Sequence, residues 1–224
     1  MGDDAALMRH ITSASIACGF HAGDAGTMRA TVALAVEHGV AVGAHPGFPD
    51  PEGFGRRELQ VEPRDVEDFV VYQVGTLGAI AAAQGVRMQH VKPHGALFNM
   101  ACRDAALAEA IARAVKTIDG SMILFGLPGS ELIAAGTRAG LRTAREGFAD
   151  RAYRPDGSLV PRSEPGAVID DPDTVSARAV QMALEGRVDT ICVHGDTPDA
   201  AALAASIRLA LVEAGIEVRA PWQN

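Results

Sequence analysis

Short apolar runs alternate along the chain with alanine-rich segments whose apolar positions recur at helical spacing, and glycine, proline, aspartate or serine marks most of the junctions. Runs near residues 15–18, 40–43, 88–91, 122–125, 141–144, 190–193 and 216–218 predict seven strands. Helical spacing is clearest over 24–38, 63–84, 104–117, 173–185 and 198–214. For the last of these, Thr197 is the expected N-cap, Pro198 the first helical residue and Gly215 the stop. Strand–helix alternation of this kind means a parallel sheet in an α/β fold, either open or closed into a barrel. The pattern leaves that choice open.

Length and composition fit one domain over residues 1–224, with 48% hydrophobic residues and no linker or repeat. Twenty Lys+Arg against 28 Asp+Glu give a formal charge of −8, which argues against nucleic acid or an anionic membrane as partner. Cys18, Cys102 and Cys192 form no Cys-x-x-Cys pair, and neither a leader-like h-region nor a membrane-length apolar run is present, so a cytoplasmic setting is expected. Walker A, Gly-x-Ser-x-Gly, His-Glu-x-x-His and Gly-x-Gly-x-x-Gly motifs are all missing, so a nucleotide site would have to be built another way.

Polar motifs recur directly after predicted strands: Cys18-Gly-Phe-His-Ala-Gly-Asp24, Gly43-Ala-His-Pro-Gly47, His90-Val-Lys-Pro-His-Gly95 and Val193-His-Gly-Asp-Thr197. Parallel α/β folds bind ligands at the C-terminal ends of their strands. Strand parity puts Ser15, Gly43, His90 and Lys92 on the face opposite the helices, in phase with His21, His45 and His194. A lone histidine after a strand is ordinarily a hydrogen-bonded core or turn residue, but several in phase favour a site. Lys92 is one of only two lysines, and an unpaired buried ammonium is costly, which also favours function. Asp24 and Asp196 follow glycines near helix starts, where capping is the plain alternative to catalysis. Ser130 is a further expected cap. Two long loops, 46–62 and 146–171, carry Arg56, Arg57 and Arg151, which could clamp a carboxylate or phosphate.

Taken as longer strings, Ser15-Ile-Ala-Cys-Gly-Phe-His-Ala-Gly-Asp24, Gly43-Ala-His-Pro-Gly-Phe-Pro-Asp50, Gly53-Phe-Gly-Arg-Arg57, His90-Val-Lys-Pro-His-Gly-Ala-Leu-Phe-Asn99, Phe148-Ala-Asp-Arg-Ala-Tyr153, Leu159-Val-Pro-Arg-Ser163, Pro165-Gly-Ala-Val168 and Val193-His-Gly-Asp-Thr-Pro198 resemble the LamB/YcsF family, the A subunits of 5-oxoprolinases. The resemblance spans nearly the whole chain. It implies an irregular, TIM-like (β/α) barrel similar to the glycoside hydrolase/deacetylase fold. It also implies ATP-dependent opening of 5-oxo-L-proline to L-glutamate with partner subunits B and C, magnesium entering with the nucleotide and no tightly bound organic cofactor. Oligomeric state stays open, a homo-oligomer included.

On the family's pattern, Asp24, His45, Lys92, His94, Asp150, Arg151, His194 and Asp196 are the site positions, joined by His21, Arg56 and Arg57 from the reading of the loops. Lys92 with Arg57 or Arg151 would offset charge, while His45, His194 and Asp196 would position or deprotonate water. Two departures from the pattern are expected to matter: a first strand bearing an Asp-x-Asn-x-Asp-x-Gly-Glu-like motif is missing before Met1, and the junction at Val188-Asp189 is short. Two other functions remain open, a metal-dependent amide hydrolase of deacetylase type and a noncatalytic substrate-binding component of the complex.

Overall fold

In the computed structural model, residues 4–221 are described, and they divide into two compact units: residues 13–144, and residues 4–12 together with 145–221. The larger unit contains β1 (Ser13–Ala17), α2 (Ala25–Glu37), β2 (Ala41–His45), α3 (Pro63–Ala82), β3 (His90–Val91), α4 (Gly95–Ala101), α5 (Ala105–Asp119), β4 (Ile123–Gly126) and α6 (Glu131–Arg138). Strand β5 (Arg142–Gly147) begins there and continues into the split unit. The split unit also holds α1 (Asp4–Met8), α7 (Pro172–Leu184), β6 (Thr190–Ile191) and α8 (Ala200–Glu213). Strand order follows chain order and the pairings are parallel, as expected of the α/β class.

Side chains from β1, β2 and β4 fill one face with Ile16, Val42, Ala44, Leu124 and neighbours, and the helices close over it. Helix α5 is buried along Leu107, Ala108, Ala110, Ile111, Ala112, Ala114 and Val115, which lets it pack against both α3 and α6. Each buried Leu, Ile or Val contributes about 1.5–3 kcal/mol, so this helix is held by burial rather than by propensity. The split unit has its own core of Ala149, Val175, Ala179, Ile207 and Leu211.

Helix starts follow side-chain chemistry. Asp24, Asp104, Ser130 and Asp171 each accept a hydrogen bond from a backbone N–H of the first turn. Three expectations need correction. Residues 216–218 are not a strand: Gly215 takes φ 75°, the Ile216 N–H returns to Leu211 O, and Ile216 and Val218 lie against the split unit's core. Alternating apolar residues report a half-buried extended segment, and packing alone satisfies that pattern. Helix α8 begins at Ala200 rather than Pro198, because residues 194–200 form tight turns and Asp199 adopts φ 55°. Helices α1 and α4 escaped the pattern, being five and seven residues long.

Candidate active site

Register explains the first polar contact in the larger unit. Ser15 on β1, Gly43 on β2 and His90 on β3 are partners across three adjacent strands. Ser15 Oγ reaches His90 Nε2 at 3.1 Å, passing over Gly43, where a Cβ would lie only 2.1 Å from that nitrogen. Glycine is required at this position so that the imidazole can cross the sheet. The His90 ring stacks on Phe125 of β4, with centroids 4.5 Å apart, and is fully buried.

Further along the same strands, three histidines meet. His45 closes β2, with Nδ1 2.6 Å from the Lys92 carbonyl oxygen and Nε2 3.0 Å from His94 Nδ1. His94 occupies the N-cap position of α4, and its Nε2 lies 2.7 Å from the Phe54 carbonyl oxygen. His21, from the loop after β1, lies parallel to His94 with ring centroids 3.8 Å apart, and its buried Nδ1 makes no hydrogen bond. Phe54 meets both rings edge-on and carries the Arg56 guanidinium over its face.

The supporting loop is fixed from outside. Fully buried Gln73 of α3 donates to Gly47 O and accepts from Gly47 N, clamping the chain where an added Cβ would approach His21 Nδ1 to 2.6 Å. Buried Asp50 accepts from Gly53 N and is bound by the Arg57 guanidinium, which holds its carboxyl below the usual carboxylate range. Phe54 takes φ 53°, an uncommon conformation for a bulky residue and a common mark of a site that needs its carbonyl aimed.

These imidazoles sit among cations. Burial, and then the Arg56 charge, lower His21 to about 4. Burial, and then Lys92, lower His90 to about 3. Burial and the charges around them also push His45 and His94 below the usual imidazole range. At neutral pH the cluster is uncharged, beside the buried Lys92.

In the split unit a histidine has the opposite character. His194 Nδ1 lies 2.7 Å from Asp150 Oδ2, and the Cys192 sulfur lies 4.0 Å from its Nε2. Burial works against its charge, yet the neighbouring Cys192 sulfur and Asp150 carboxylate raise it to about 9. Burial likewise opposes ionisation of Asp150, but His194, Arg162 and Arg151 outweigh it and hold the carboxyl low. His194 is therefore an imidazolium at neutral pH.

Thus buried His21, Lys92 and His94 and half-buried His45 fall in the larger unit, and buried Asp150 and Arg151 and half-buried His194 in the split unit. Several candidates have visible local duties. Asp24 is exposed and caps α2; Arg57 is bound to Asp50; Arg151 donates to the carbonyls of Ala167 and Val160. Asp196 lies exposed in the turns before α8 and is not its N-cap. Two participants were not singled out as site residues in the sequence: His90, though its inward phase was legible, and Phe54, whose part rests on a carbonyl and so carries no side-chain signature. Among the described residues no group of three or more His, Cys, Asp or Glu is arranged to hold a metal ion.

The LamB/YcsF family model matches residues 1–224. A Bordetella pertussis protein, named as the A subunit of 5-oxoprolinase, is 53% identical over 232 residues, covering 98% of this chain and 92% of its own length. Its Bacillus subtilis namesake is 51% identical, covering 98% and 90%. The crystal structure of a lactam utilization protein from Thermus thermophilus superposes with a TM-score of 0.92 at 47% identity, covering 98% of this chain and 93% of that one.

Proposed function

The chain belongs to the LamB/YcsF family, and from that premise we propose that it is the A subunit of a 5-oxoprolinase, opening 5-oxo-L-proline to L-glutamate with ATP hydrolysis in a complex with subunits B and C. The observation that carries this reading is the largely buried cluster of uncharged imidazoles beside Lys92, built from the end of β2 and the segments that follow β1 and β3. Relatives named as 5-oxoprolinase A subunits and as a lactam utilization protein support the substrate class.

A lactam is a resonance-stabilised amide, so water alone attacks it slowly. Phosphorylation of the carbonyl oxygen by ATP, as its magnesium complex, turns that oxygen into part of a leaving group. Water then adds to the carbon and the ring C–N bond breaks with a proton going to the departing nitrogen, which leaves an acyl phosphate; a second water hydrolyses that to glutamate and phosphate. This chain's contribution is to take the proton from the attacking water on an uncharged imidazole and to offset developing negative charge with Lys92. Arg57 is bound to Asp50 and Arg151 donates to backbone carbonyls, and the charge role is assigned to Lys92.

The test is ATP-coupled glutamate formation by the reconstituted A–B–C complex. Lys92→Met lowers turnover roughly a hundredfold or more while leaving the circular dichroism spectrum unchanged. Near-normal turnover by a folded variant refutes the assignment, and glutamate formation by the isolated chain without ATP refutes the ATP-dependent scheme.

A further inference from the structure

The contact between His45 and His94 requires more hydrogens than two neutral rings possess. His45 Nδ1 faces the Lys92 carbonyl at 2.6 Å and His94 Nε2 faces the Phe54 carbonyl at 2.7 Å. A carbonyl oxygen only accepts, so both outer nitrogens carry hydrogen. A neutral imidazole has one N–H. The inner nitrogens, His45 Nε2 and His94 Nδ1, therefore both present lone pairs, and they face each other at 3.0 Å. Three contacts call for three hydrogens where two are available.

We propose that His45 and His94 act as one base, which binds a single proton between His45 Nε2 and His94 Nδ1 and is the group that deprotonates the attacking water. The second half of this statement rests on the lactam-opening reading; the first does not. On deprotonation the water O–H bond breaks, its electron pair forms the new C–O bond, and the proton moves to the inner nitrogens. There it closes the third hydrogen bond and removes the lone-pair repulsion. A second proton would place two imidazolium rings in contact and is refused, so the pair titrates as a unit with one step.

The surroundings set the resting state. The groups whose charge reaches the pair are His21, stacked on His94 from the loop after β1, Lys92 after β3 and Arg56 in the loop after β2, besides the two rings themselves. All become cationic when protonated, and with burial they keep the pair free of its proton at neutral pH, as a base must be. They also weigh against a divalent ion in the same place, which would add two charges where the proton adds one. The missing hydrogen pulls the other way. The pair accordingly takes up its proton at a higher pH than either His21 or His90, whose single rings lack that compensation.

The test uses the whole chain labelled with 15N-histidine, followed by NMR from pH 8 downward without B, C or ATP. The first change among the buried rings of the larger unit is a joint shift of His45 Nε2 and His94 Nδ1 with one step, ahead of His21 and His90. Separate titration of the two rings, uptake after His21, or a stoichiometric bound metal on these nitrogens overturns the proposal. His94→Asn removes the early step from His45. In the assembled complex, His45→Gln lowers kcat roughly a hundredfold and abolishes the acidic limb of the wild-type rate profile. A folded His45→Gln variant of undiminished kcat overturns the pair's role as base. If the wild-type complex forms no glutamate although the joint step is present, it is the lactam-opening reading that fails.

Discussion

His21 and His194 are the same side chain in a buried and a half-buried setting, and they differ by about five powers of ten in proton affinity, one lowered to about 4 and the other raised to about 9. Burial disfavours the charged ring in both. His21 and its neighbours His45 and His94 have cations and each other for company, whereas His194 has the Cys192 sulfur at 4.0 Å and the Asp150 carboxylate at 2.7 Å. Burial beside cations thus makes a histidine a weak, uncharged base, and a neighbouring cysteine sulfur and carboxylate make it a cation at neutral pH. The contrast separates a region suited to accepting protons from one suited to holding charge.

The comparison can be broken most severely in the larger unit. Gly43→Ala forces the His90 ring out of the gap it occupies and destabilises the chain by about 3 kcal/mol or more, read as a lowered urea midpoint at unchanged slope. Unchanged stability would mean that the Ser15–Gly43–His90 crossing is not held as described. In the split unit, Asp150→Asn removes the carboxylate and leaves only the Cys192 sulfur to oppose burial. His194 then falls from about 9, with a loss of about 1.5–3 kcal/mol at neutral pH from the charged hydrogen bond. Titration of His194 in the variant checks this, and a value that stays near 9 would show that Asp150 is not the cause.

The two regions should also respond to pH in opposite senses. His21 is depressed, so its neutral form contributes stability that is complete above the free imidazole value of about 6.5 and is lost as pH falls toward about 4. His194 is elevated, so its charged form contributes stability that is complete below about 6.5 and is lost as pH rises through about 9. Amide exchange, corrected for intrinsic rates, should loosen residues 13–144 first in mild acid and residues 145–221 first in mild alkali. Loosening of the same unit at both ends would contradict the contrast. The smallest effect belongs to Ser15→Ala, which leaves His90 Nε2 without its partner and costs about 1 kcal/mol by the same urea measurement.

How much of this was legible in the sequence depended on the range of the interaction. Strand parity placed Ser15, Gly43 and His90 on one face, and the register agrees, because side-chain alternation is a property of each strand alone. His21 lies past the end of its strand, where parity fades, and its stacking on His94 depends on the loop that Gln73 and Asp50 fix. The Asp150–His194 pair joins residues 44 apart through a long loop, which no local spacing encodes. Arg57 illustrates the reverse difficulty: its sequence context suggested an anion clamp, and the anion it holds is Asp50, seven residues earlier in the same loop. Residues 216–218 carried a strand's alternation without a strand, since apolar packing leaves the same trace as a ladder.

The opposed proton affinities are tested most directly by a single histidine titration of the intact chain from pH 4 to 10, with resonances assigned by substitution. His194 should remain charged until about 9 while His21 stays neutral down to about 4. Both rings titrating near the free value of about 6.5 would contradict the contrast between the two regions.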